Sequence, residues 1–515
     1  MTITSFYYLA FLAAGVVIYY VLPKAAQWVW LLLLSIVFYC AVATPFTIVF
    51  LVVSTLLAWG STNLVERMRQ KGAAGRRMLL PVSLAVCANI LLWLALKGQE
   101  LVAGIWGALG AVIPQLPGLP DLRPFAALGM GYYTLQAIGY ILDCYWETCR
   151  PQKNPFKLFL FIAFFPQLTT GPISRYGQLK TVYEKHMFQY TNITHGAQRI
   201  LWGFFKKLVL AGRVGMIVDG IWADTVNYYG LYIWVAILLY PVQMYADFSG
   251  CMDIVIGTAE LFDIKLLENF KNPFFSKTSQ EFWQRWHITL GAWAKDYVLY
   301  PVLKSRAVRG LANLSKKRFG KKAGKFISTA AGMLVLWLVM GVWHGAYKYV
   351  IGVSLWYWVI LMLGELTAPL LSRLTEFLHI RTESFSWNLF RMVRTYLIYA
   401  VGAVFFRAGE IREALSILVE AARGLRSARN PWIFFNYSVL ELDVSHMDLN
   451  IIIVSVILLL IVAVLREKYG YARTWMEQQG IVFRWAVWLS LFLFVLIYGW
   501  YGPLFDASIF IYQGF

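Results

Sequence analysis

The chain has 515 residues, of which 59% are hydrophobic and 14% charged, with 46 Lys and Arg against 27 Asp and Glu. Soluble domains carry about 25% charged residues, so a soluble globular protein is excluded: too little polar surface remains to cover one. A net charge of +19 would point a soluble chain towards nucleic acid. Here the cations sit in short loops between apolar runs, where they set topology and meet anionic headgroups, and no nucleic-acid partner is expected.

In chain order, apolar runs that suit a bilayer core of about 30 Å lie at 5–22, 27–43, 45–60, 78–96 and 124–143. Another crossing is expected within 197–221, followed by 229–246, 327–344, 349–371, 388–406, 450–466 and 483–501. The expectation is an all-α polytopic membrane protein of about 11–13 transmembrane helices, one embedded unit over residues 1–515. Residues 5–22 lack a basic leader and a small-residue cleavage site and read as a retained first helix. The basic loops ERMRQKGAAGRR (66–77), RPQKNPFK (150–157) and KSRAVRGLANLSKKRFGKKAGK (304–325) should be cytoplasmic. Counting crossings from them puts both termini outside, at a plasma membrane.

Two segments break the pattern. FIAFFPQLTTGPIS (161–174) is apolar but interrupted by Pro166, Gly171 and Pro172. Such backbone is tolerated at membrane depth only inside protein or beside a cavity, so a re-entrant segment is expected. QEFWQRWHITLGAWAKDYVLYP (280–301) mixes aromatics at helical spacing with charges and reads as an amphipathic helix, interfacial or internally buried.

Ionisable groups at membrane depth are costly and usually functional. His287 and His344, two of only six histidines, each follow a tryptophan, Trp286 and Trp343. Imidazole takes and gives protons near neutrality and is the commonest general base. A lone buried histidine can equally be a group satisfied by its neighbours, and Gly341 and Gly345 around His344 can equally serve helix packing. YPVQMYADFSGCMDIVIG (240–257) brings Asp247 and Asp253 together with Gln243 and Ser249. Those carboxylates could do acid–base work, bind a metal or pair with cations, and pairing with Arg285 or Lys295 is the expectation. No metal-ligand spacing is present, and the five cysteines form no cluster, so neither a metal nor a disulfide is expected. The absence of GxxxxGK[ST] removes support for a P-loop ATPase, and the absence of GxSxG for an internal esterase. The ending FIYQGF (510–515) reads as an aromatic interfacial anchor or as a tethered tyrosine able to reach a cavity mouth.

Several stretches carry a resemblance: GYYTLQAIGYILDCY (131–145), FFPQLTTGPISRY (164–176), LWGFFKKLVLA (201–211), QMYADFSGCMDIVIG (243–257), ENFKNPFFSKTSQEFWQRWHITLGAWAKDYVLYP (268–301), GVWHGA (341–346) and VFFRA (404–408). In this order and spacing the chain resembles the membrane-bound O-acyltransferase (MBOAT) family, in the bacterial branch that acylates cell-envelope polymers. The motif region spans about 125–410, with C-terminal helices and tail over 450–515. The resemblance implies a ring of helices around a central tunnel, with His344 catalytic and His287 a second tunnel residue. Candidates for the tunnel lining are Trp343, Trp286, Asp247, Ser249, Gln243, Arg285 and Asn272. Gln284 and Lys295 depart from the usual residues. Tyr512 of the F-x-Y-x-x-F ending would receive the acyl group.

The resemblance further implies a thioester donor, acetyl-CoA or an acyl-carrier-protein thioester, with no bound cofactor. Outside the membrane it implies a partner transferase of the SGNH type and a cell-envelope polysaccharide. The expected function is O-acylation, most simply O-acetylation, of that polymer. The alternatives are D-alanyl transfer to teichoic acid and, in another class, a polymer or lipid transporter. A transporter should show broken helices at matched positions in two halves, and the sequence has no such symmetry.

Overall fold

The structure, a computed structural model, describes residues 2–73, 75–110, 113, 117–120, 125, 127–427, 442 and 444–501. These residues are helical, with no β-strand among them and one isolated antiparallel bridge between Phe270 and Trp286. Eight of their helices are long and apolar enough to cross a membrane: Pro45–Gln70, Arg76–Leu96, Leu231–Leu261, Arg306–Trp343, Tyr349–Phe377, Phe385–Arg407, His446–Tyr469 and Ile481–Tyr498. Phe6–Val21 and Gln27–Val42 are shorter apolar helices. The chain is therefore a polytopic, all-helical membrane protein. Polar caps mark where the apolar runs begin. Ser5, Ser305, Ser384 and Ser445 each accept a backbone N–H from the first turn that follows.

Two expected crossings take another form. The run at 124–143 becomes Met130–Tyr145, only 16 residues long and buried along nearly its whole length. The run within 197–221 belongs to a continuous helical stretch formed by Tyr190–Phe204, a π-helical segment Phe205–Ala211 and Gly212–Ala223. The first is enclosed by protein, and in the second the π-helical Phe205–Ala211 is buried throughout.

Leu231–Leu261 is the central post. Of its most apolar window 61% is buried, against 11% for Ile481–Tyr498 at the periphery. Tyr190–Phe204 runs antiparallel beside it at glycine distance. A Cβ on Gly203 would lie 2.6 Å from the Gly250 carbonyl oxygen, and one on Gly196 would lie 2.7 Å from that of Gly257. Small residues are what allow two membrane helices to approach this closely. The π-helical turn then presents two successive lysines to the post. Lys206 meets Asp253 at 2.6 Å and the Ser249 hydroxyl at 2.8 Å, and Lys207 meets Asp247 at 2.5 Å.

The segment 161–174 is a broken pair of short helices, Pro155–Ala163 and Phe165–Leu168, followed by irregular backbone. Phe161, Phe164 and Phe165 are at most 1% exposed, so the broken backbone is packed in protein. The expectation of one amphipathic helix over 280–301 is corrected. That stretch divides into Ser279–Arg285, Ile288–Ala294, a π-helical Lys295–Leu299 and Tyr300–Lys304. The first break falls at His287, whose backbone is left-handed (φ 47°, ψ 52°). Helical spacing of aromatics is satisfied by the pieces as well as by a whole, so periodicity alone could not reveal the interruption.

Candidate active site

The local cause of that break is a pairing between two sequence motifs. The Lys271 N–H donates to the Arg285 carbonyl at 2.9 Å, and the Ile288 N–H donates to the Asn269 carbonyl at 3.0 Å. ENFKNP is thus stitched alongside QRWHI, and the left-handed turn at His287 throws its ring inward. The ring is 6% exposed and stands edge-on to Phe248 at 4.9 Å.

Asn269 fixes the orientation of that ring. Its Oδ1 accepts the Thr289 N–H at 3.1 Å and the Thr289 hydroxyl at 2.9 Å, and it lies 3.2 Å from His287 Nδ1. An amide oxygen can only accept, so His287 Nδ1 carries the proton and Nε2 carries the lone pair. Nε2 is buried and has no partner among the described residues. Burial, reinforced by the nearby imidazole of His344, holds the His287 ring well below the ordinary imidazole pKa, so it is neutral at pH 7.

His344 arrives from another direction. It ends Arg306–Trp343, a helical stretch interrupted at Gly320. Gly345 follows with φ 91°, and its N–H turns back to the Val342 carbonyl at 2.9 Å, which closes the helix. The His344 ring packs on Tyr349 at 5.4 Å and on Phe406 at 5.5 Å. Trp343 is the spacer between the histidines, its ring 4.9 Å from that of His344 and 6.2 Å from that of His287. The Trp343 indole N–H is anchored to the Gly131 carbonyl at 3.0 Å.

Both histidines border one cavity of about 1200 Å³. Its middle is a sleeve of aromatics that includes Trp283, Trp286, Trp337, Tyr357 and Tyr399. One face of Phe385–Arg407 lines it from Trp387 to Phe406, about 28 Å at helical rise. His344 and Phe406 mark one end. Away from them the lining is exposed at the polar residues Thr278, Gln280, Gln284 and Thr382 and also at apolar residues of Tyr349–Phe377 such as Leu363 and Leu371.

Of the residues singled out in the sequence, the structure brings His287, His344 and Trp286 to the cavity wall, with Trp343 packed behind them. The others expected to line a tunnel are placed away from this wall. Asp247 is 4% exposed and ion-paired to Lys207, and Ser249 is held by Lys206. The expected pairing of Asp247 and Asp253 with Arg285 or Lys295 is corrected: Asp253 binds Arg199 at 3.0 Å as well as Lys206. Gln243 is 8% exposed beside Gly215. Asn272 donates to the Ala463 carbonyl and to Glu467, and Arg285 binds the same Glu467 at 2.6 Å, so both fasten the site to the helix His446–Tyr469. Tyr512 lies outside the described residues. Asn269 and Thr289 went unrecognised in the sequence. Both lie within the quoted motif 268–301, but their pairing with His287 exists only after the two strands of the bridge align. Among the described residues no three potential metal ligands come together.

An oriented imidazole and a second one nearby, at the wall of a large cavity in a multi-pass helical protein, are an arrangement with the chemistry to accept a proton. Comparison with known proteins adds a family likeness. Residues 149–315 match MBOAT, the membrane-bound O-acyltransferase family. The probable alginate O-acetylase AlgI of Pseudomonas syringae pv. tomato is 27% identical over 403 residues, 77% of this chain and 70% of that one. The peptidoglycan O-acetyltransferase of Helicobacter pylori is 27% identical over 56% of each chain. The teichoic acid D-alanyltransferase of Bacillus subtilis is 28% identical over 46% of this chain and 58% of that one. Through residues 149–315 the chain is similar to the membrane-bound O-acyltransferase family, and its similarity to these named transferases makes it an acyltransferase.

Proposed function

We propose that this protein moves an acyl group, most simply acetyl, from a cytoplasmic thioester to the extracytoplasmic side, for O-acylation of a cell-envelope polysaccharide. The observation that carries the reading is the meeting of His287 and His344 at one cavity whose lining is exposed away from His344. The basic segment 304–325 favours a cytoplasmic position for that exposed part. His344 then lies towards the exterior, where an alcohol would enter.

In the proposed reaction the thioester carbonyl rests in the cavity beside the two rings. His344 takes the proton of the attacking hydroxyl as its oxygen bonds to the carbonyl carbon. The C–S bond breaks, and the leaving thiolate recovers the proton from the imidazolium, so ester and free thiol are the products. His287, neutral with its lone pair on Nε2, is a second acceptor for the same proton. The hydroxyl is proposed to be that of Tyr512, a phenol of ordinary pKa near 10 that needs a base at neutral pH. A partner transferase of the SGNH type then passes the group to the polymer.

The test uses purified protein with radiolabelled acetyl-CoA, an acetyl carrier-protein thioester or a D-alanyl carrier-protein thioester. Labelling of the wild type by an acetyl donor, lost in His344→Ala while the protein still elutes as a single species, supports the reading. Full labelling in His344→Ala rejects His344 as the base. Labelling by the D-alanyl donor alone moves the function to that alternative. Tyr512→Phe retains the aromatic anchor and removes the hydroxyl, so unchanged polymer acylation in that variant rejects the relay.

A further inference from the structure

Three cations line the cavity, Lys295, Arg391 and Arg394, and the two arginines have no part in the chemistry described so far. Arg391 and Arg394 lie one turn apart on Phe385–Arg407, on the face that lines the cavity. Like charges at this spacing repel, yet neither forms an ion pair among the described residues. Arg391 donates to the Thr382 carbonyl at 3.2 Å and to the Asn388 side chain, and its Nε is buried without a partner. Arg394 donates to the Lys277 carbonyl at 2.9 Å. Glu365, the acidic residue on the cavity wall, pairs with neither. Carbonyl oxygens thus hold two guanidinium groups at the cavity wall with no carboxylate to neutralise them, an arrangement that suits an incoming phosphate.

The spacing to the histidines narrows the ligand. From Arg394 and Arg391 to Phe406, which packs on the His344 ring, is about 18 and 22 Å along the helix. The sleeve between is aromatic and apolar. A ligand that spans it needs a phosphate at one end, a long thin arm, and its reacting carbonyl at the other.

We propose that Arg391 and Arg394 are specificity residues that bind the phosphate of a phosphopantetheine-type thioester donor and so seat its acyl group at the histidine pair. This rests on the acyltransferase reading above and adds to it the recognition of the donor. The phosphate is common to CoA and to a carrier-protein prosthetic group.

The experiment compares acetyl-phosphopantetheine with acetyl-pantetheine, which lacks only the phosphate, in the wild type and in an Arg391→Gln/Arg394→Gln double variant. The wild type should show a KM for the phosphorylated donor lower by about tenfold or more, the scale of charge-assisted hydrogen bonds. The variant should lose that preference with kcat nearly unchanged and should use acetyl-pantetheine as well as the wild type does. Arg391→Lys/Arg394→Lys should recover part of it. Retention of the preference in the Gln variant, or an equal loss on both donors, overturns the proposal. If the wild type uses neither donor while His344→Ala changes nothing, the acyltransferase reading fails and the proposal with it. Separate arms with acetyl-CoA and with an acetylated carrier protein identify the source: the Gln substitutions should raise the KM for whichever donor is physiological.

Discussion

The Asn269 side-chain oxygen lies 3.2 Å from His287 Nδ1 and takes both donors of Thr289, so one amide sets the tautomer of a buried imidazole 18 residues away. Replacing Asn269 with Leu removes this acceptor and leaves the Thr289 N–H unsatisfied. Loss of the partner that orients a metal-bound histidine typically costs about 10–100-fold, and the same scale is taken for this metal-free ring. The expected result is a fall in kcat of about that size with little change in donor KM. An equal rise in KM would show that Asn269 shapes the pocket instead of the ring.

His287→Ala should lower kcat by about 10²–10⁴-fold, the usual cost of losing a general base. If the two imidazoles serve one proton, the double variant with His344→Ala should be hardly worse than the poorer single variant. Multiplying losses would mean that the rings act in separate steps, and single-turnover rates for the four proteins decide between these outcomes.

Trp343→Phe keeps an aromatic spacer between the histidines but removes the hydrogen bond to the Gly131 carbonyl, 3.0 Å away. The Gly131 carbonyl lies in the first turn of Met130–Tyr145 and keeps its helical donor, so the loss is that of one hydrogen bond, about 0.5–1.5 kcal/mol. Thermal stability in detergent should fall, and activity should fall less than in either histidine variant.

Lys207 and Asp247 form a buried pair away from the cavity wall, so their role is assigned to folding. Lys207→Met alone leaves a buried carboxylate and should destabilise by about 3–5 kcal/mol, whereas Lys207→Met with Asp247→Leu should recover most of that loss. Fluorescence-detected size exclusion across a temperature series measures both. Acyl transfer lost in a well-folded double variant would return the pair to the catalytic machinery.

Gly203→Leu should abolish correct assembly, because even a Cβ there would meet the Gly250 carbonyl oxygen at 2.6 Å and push two core helices apart. Gly310→Ala, where nothing lies within 4 Å of the added carbon, is the control and should express normally. Yield of monodisperse protein is the readout.

Much of the fold was legible because transfer into lipid is written locally. The runs at 78–96, 388–406 and 483–501 needed only length and apolarity, and they reappear as Arg76–Leu96, Phe385–Arg407 and Ile481–Tyr498. Hydropathy could not separate a helix against lipid from one enclosed by protein, since both are apolar all round. The run at 124–143, which appears as the buried helix Met130–Tyr145, is a case in point. The site was half legible. Two histidines after tryptophans in apolar surroundings drew notice by themselves, whereas Asp247 and Ser249 were candidates only because their lysine partners, 40 and 43 residues away, could not be seen.

The sequence by itself determined that this chain lives in a membrane and that His287 and His344 are its conspicuous histidines in apolar surroundings, since charge content and residue identity need no folded context. Only the tertiary structure decided that these rings share one cavity with Trp343 between them, that Asn269 orients one of them, and that the carboxylates of 240–257 are spent on lysines and arginine. Those outcomes depend on distances between residues far apart in the chain. Helix packing and one short bridge fix such distances, and no local pattern encodes them.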